Sequence, residues 1–158
     1  QISRLNLTDT QTRELMGLMQ ATHHMESIGD LIEVNMVQLG MQRMRQNVTV
    51  SAETEKVLTT LHQVVSQSVM DSLKAVTELD RPAAERVIRM KYDLKKLVEE
   101  AMRHQTKRLT AEEGNRVNTF AVEMDIIDKL QRIYYHSRRI SKNTIKILDG
   151  EAPTATSE

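Results

Sequence analysis

Chain breakers are scarce: two prolines and five glycines stand among 158 residues, against average usage of about 5% and 7%. This scarcity constrains the fold more than any other feature. Strand-rich folds need turn residues every few positions, so they are excluded and long helices remain. Met, Leu, Glu, Lys, Gln and Arg, all good helix formers, fill the intervals. The helix starts are marked instead by capping residues. Thr8-Asp9-Thr10-Gln11 fits a capping box and opens a first helix that runs unbroken to about Gln46. Ser51, with Glu53 and Glu55 behind it, caps a second helix reaching about Leu79. Asp80-Arg81-Pro82 places an Asp cap before a first-turn proline and starts a third, to about Arg108. Thr110-Ala111-Glu112-Glu113 is another capping box, for a fourth helix ending at about Leu148 before Asp149-Gly150. Residues 149–158 form a polar tail, expected to be disordered. The predicted fold class is therefore all-α: an elongated antiparallel up-and-down helix bundle of four long helices spanning residues 1–148.

Composition narrows the function. Twenty-two basic residues balance 22 acidic ones, so the basic footprint of a nucleic-acid binder is missing. There is no cysteine, which removes disulfide scaffolds and Cys-based zinc sites. No apolar run approaches the roughly 20 residues of a membrane span, so no direct membrane insertion by this segment is expected. A start at Gln1, without Met or a signal peptide, reads as a piece excised from a longer chain.

The first helix carries two apolar stripes. Leu18, Ala21, Met25, Ile28, Ile32, Asn35 and Leu39 are expected to form the bundle seam, with Gly29 and Gly40 allowing close helix approach and Gln20, His24, Gln38 and Gln42 on a polar face. The other arc mixes His23, Glu26, Asp30 and Glu33 with Met16, Met19, Val34, Val37, Met41 and Met44. A solvated face rarely carries that much apolar surface, so these six Met and Val residues are expected to form an interface. Glu26 and Asp30, one turn apart, repel unless a cation or basic group joins them. With His23 and Glu33 they make a candidate site for iron, zinc or another divalent metal. On the fourth helix Val122, Ile126, Leu130, Ile133, Ser137, Ile140, Thr144 and Ile147 form the core seam, with Phe120, Ile127, Tyr134 and Ile145 as a side stripe. Asp125, Asp128, Arg132, His136, Arg139 and Asn143 read as a salt-bridged solvated face, and His62, His104 and His136 as isolated histidines.

Glu26-Ser27-Ile28-Gly29-Asp30 resembles the Glu-Arg-x-Gly-Asp signature of PhoU-like phosphate-transport regulators. Val57 to Asp80, Ala83 to Arg103 and Val117 to Ile140 look like the three helices of one repeat of that family. Asp128 to His136 falls where the last helix carries its own copy of the signature. The resemblance then makes residues 8–46 the last helix of an incomplete repeat and 51–148 a full one. Ser27 stands where the family has Arg, and Gln131 and Tyr135 stand where Glu and Asp are expected, so the second copy has lost both carboxylates. Half a repeat plus a whole one looks most like the cytoplasmic C-terminal region of bacterial sodium/phosphate cotransporter proteins. The resemblance implies a regulatory or accessory, non-enzymatic role in phosphate transport at the cytoplasmic side of the bacterial inner membrane. The implied partners are the membrane transport domain of the same polypeptide or a second copy in a homodimer. It also implies multinuclear iron or zinc clusters on the acidic signature.

Two other functions are open to such a chain. One is a free-standing phosphate-signalling adaptor of the same fold. The other, a carboxylate-bridged metal oxidase bundle, needs Glu-x-x-His pairs, and the sequence contains none. Nothing matches a phosphate loop or a nucleophile constellation, so no catalytic residue and no organic cofactor is expected.

Overall fold

A computed structural model describes residues 7–47, 50–109 and 116–153. Apart from the turns and ends they are helical, with no strand among the described residues. Helix α1 spans Asp9–Asp30, a π-helical turn spans Leu31–Met36, and α2 continues the same rod over Val37–Arg45. Helices α3 (Ala52–Glu78), α4 (Arg81–Leu109) and α5 (Arg116–Leu148) follow. At 1.5 Å per residue the 33-residue α5 is about 50 Å long.

The predicted caps set these boundaries. Thr8 and Gln11 form a reciprocal capping box at the start of α1. Ser51 Oγ accepts from the Thr54 N–H at 3.2 Å. Asp80 Oδ1 accepts from the Ala83 N–H at 2.9 Å, which holds its carboxyl below the usual range with help from Lys74. Helix α3 ends on Leu79 in the left-handed region, at φ 51°, so the chain turns at once into α4. Gly150, at φ 76°, follows α5. The capping box at 110–113 lies outside the described residues. So do 154–158 of the tail, whose residue Pro153 is buried.

Helices α3, α4 and α5 each pack on the other two. Leu61 and Val65 of α3, Val87, Leu94 and Val98 of α4, and Ile127, Leu130, Ile133 and Ile140 of α5 make their shared core. Burying one such side chain is worth about 1.5–3 kcal/mol. Inside this core Tyr134 donates to the Val87 carbonyl at 2.9 Å. Arg86 grips buried Asp71 with both Nη2 (2.7 Å) and Nε (3.3 Å), holding that carboxyl well below its usual range. Beside the α3–α4 turn, Ala75, Ala83 and Ala84 bring the helices close, under Ile145.

The α1–α2 rod sits differently: its packing is against α5. Ala21, Ile28, Leu31 and Leu39 are its buried apolar residues, joined by His24. This corrects the expected seam. Leu18 and Ile32 are about half exposed, because the rod meets one helix rather than two and is turned toward its Gln20–His24 edge. The expected close approach at Gly29 and Gly40 is also absent, for a Cβ at either would meet nothing within 4 Å. Gly17 is the tight position, where a Cβ would run into Ile147 of α5.

Candidate functional site

The acidic signature lies on the open side of the rod. His23, Glu26, Asp30 and Glu33 are all exposed, Glu33 within the π turn and the others on α1. Among the described residues no three His, Asp or Glu side chains group closely enough to hold a metal ion. With carboxylates lost at 131 and 135, the donors do not fit the multinuclear cluster that the signature implied.

The apolar part of the arc is exposed along its whole length. Met16, Met19, Val34, Val37, Met41 and Met44 keep between 46% and 79% of their surface open. The π turn alters how they line up. Its i→i+5 pattern takes about one residue more per turn than an α-helix, so residues beyond it depart from the 100° spacing of α1. Across a groove, α3 adds Met70 and Leu73, also exposed. Two apolar hollows of about 300 Å³ sit in that groove, one bounded by Leu18, Val76 and Ile147, the other by Ile32, Met36, Val69 and Ile133.

Sequence reasoning missed the polar joint that fixes the rod to α5. His24 Nδ1 lies 3.1 Å from His136 Nδ1, so one neutral ring donates and the other accepts. Asn143 Nδ2 donates to Gln20 Oε1 at 2.6 Å. His23 and Tyr135 extend the ring cluster on either side, with centroid separations of 5.7 Å and 5.3 Å. Burial and the positive charges of Arg139, His136 and His23 push His24 down to about 4. His136 is lowered as well, by burial, Arg132 and His23. The supposedly solvated stripe of α5 is thus part of a helix contact, and His136 is not isolated. The signal was present as a His and a Gln on one helix and a His and an Asn on another, each pair seven or four residues apart. It becomes readable only once α1 and α5 are known to face each other antiparallel.

The pattern of the PhoU domain matches residues 58–144, more than half of the chain, from within α3 to within α5. The chain belongs to the PhoU family. PhoU domains are regulatory rather than enzymatic and act in phosphate homeostasis. The all-α PhoU-like bundle expected from the sequence is what the structure has. The match begins after the α1–α2 rod. No curated protein and no solved structure matches the chain. None of the described helices is long and apolar enough to cross a membrane.

Proposed function

We propose that this PhoU chain is the regulatory domain of a sodium-dependent phosphate cotransporter, held at the cytoplasmic face of the inner membrane and acting by contact with its own transport domain. The observation that carries the contact is the α1–α2 rod. It is anchored on α5 by one stripe while Met16, Met19, Val34, Val37, Met41 and Met44 stay open. Apolar surface of that extent, rimmed by Glu26, Asp30 and Glu33, is the pattern of an interaction site. Met side chains suit it because they adapt to a partner's shape. In this reading the rod is the last helix of an incomplete repeat, and the transport domain covers its open face.

Co-purification tests this. The chain is mixed with a separately expressed sodium/phosphate transport domain encoded in the same reading frame. Retention on that domain supports the proposal. A reading frame without membrane-spanning helices, or retention on a sensor kinase instead, contradicts it and favours the free-standing adaptor.

A further inference from the structure

The groove between the rod and α3 is walled by two stripes that carry no charge. Thr59, His62, Ser66, Met70, Leu73 and Thr77 recur at steps of three and four along α3, and all six are exposed. The opposite wall has Leu18 of α1 with Ile32 and Met36 of the π turn, and Thr22 and Met25 continue the spacing between them. Ile133 and Ile147 of α5 lie beneath. Neither stripe holds an Asp, Glu, Lys or Arg, in a chain that is 28% charged. Glu14 stands at one end of the groove. Depletion of charge with methionine enriched is the composition of an interface core. The hydroxyls on these walls are satisfied within their own helices. Thr22 donates to the Leu18 carbonyl and Thr77 to the Leu73 carbonyl, each at 2.9 Å, and Ser66 Oγ lies 3.4 Å from His62 Nε2. Covering the face therefore strands none of these three donors.

We propose that the occupant of this groove is a second copy of the chain, packed face to face across a twofold axis through the groove. Near such an axis residues meet their own kind, so a charge there faces its like and is repelled. A second copy therefore requires a charge-free centre, whereas a different partner can match charge with opposite charge. The face is self-complementary in shape as well. Met70 and Leu73 stand exposed on the α3 edge as knobs. The two hollows along the groove, about 300 Å³ each, are sockets for the same residues of the other copy. Met19 and Met41 line neither hollow. The dimer leaves them open and stands whether or not the transport domain docks there.

Sedimentation velocity over a dilution series up to about 100 µM tests this. The expected result is a dimer that dissociates on dilution. Leu18→Glu with Met70→Glu, both at exposed positions, weakens it at least about a hundredfold while helical content is kept. Ser66→Lys, a single change at an exposed helical position, sets like charges against each other and weakens it at least about tenfold. Met70→Leu, and Met19→Glu with Met41→Glu on the other side of the rod, leave the dimer intact. A chain that stays monomeric at about 100 µM, or a dimer undiminished in the folded variants, overturns the proposal. So does a monomer held by the transport domain through Leu18 and Met70, which assigns the groove to that domain.

Discussion

His24 and His136 carry one proton between their facing Nδ1 atoms, and a second would leave two donors opposed at 3.1 Å. In the unfolded chain a histidine titrates near 6.5, whereas folded His24 does so at about 4. Between those values the unfolded state holds the extra proton, so stability is full above pH 6.5 and is lost as pH falls toward 4. The expected loss is about 3 kcal/mol, and His136, shifted the same way, adds to it. Urea unfolding at pH 7 and pH 4.5 measures it. In His24→Leu most of that pH dependence disappears; an unchanged pH dependence would show that the pair does not carry it. Asp71 offers a second check. Asp71→Ala leaves Arg86 without its bidentate partner and removes a buried, satisfied carboxylate, lowering stability by about 1–3 kcal/mol. The caps at Thr8, Ser51 and Asp80 were legible because each is a local pattern of three or four residues. The histidine pair was not, because its partners are 112 residues apart and each alone resembles a surface histidine.

At the level of helices, the number and order were readable from capping and periodicity. The orientation of the first helix was not. A rule of 100° per residue assumes a regular helix, and the π turn at Leu31–Met36 breaks it. The same rule assigns the most apolar stripe to the core, yet the rod turns a mixed stripe, Gln20, His24, Ile28 and Leu31, toward α5. Glycine substitutions test this placement. Because Gly29 and Gly40 face open space, Ala at either should stabilise the chain by about 0.5–1 kcal/mol through helix propensity. A loss of stability in thermal unfolding would instead mean that another helix lies against them. Hydrogen exchange tests the rod's attachment. With α5 as its packing partner, amides of α1 and α2 should exchange ahead of those in α3, α4 and α5. Equal protection throughout would contradict that order.

Taken as a whole, the molecule is a PhoU bundle of three helices with a fourth rod docked on α5. Most of its exposed Met and Val residues gather on the rod, and 16 of its 22 Lys and Arg residues lie on α4 and α5, an asymmetry that the zero net charge of the sequence conceals. Fold class and the exposed Met and Val residues were accessible from periodicity, because both depend on spacing along one helix. Metal ligation by His23, Glu26, Asp30 and Glu33 lies beyond what periodicity can give, since ligation needs side chains to converge in space. The central claim is that the open face of the rod is where this domain meets its partner. The most direct measurement is the affinity of the chain for the transport domain, wild type against Met19→Glu with Met41→Glu. Tyr92→Glu, at an exposed position of α4, serves as control. The account predicts that the double variant keeps its helical content and thermal midpoint but binds at least about a hundredfold more weakly, with the control unchanged. Binding undiminished in a folded double variant would contradict it.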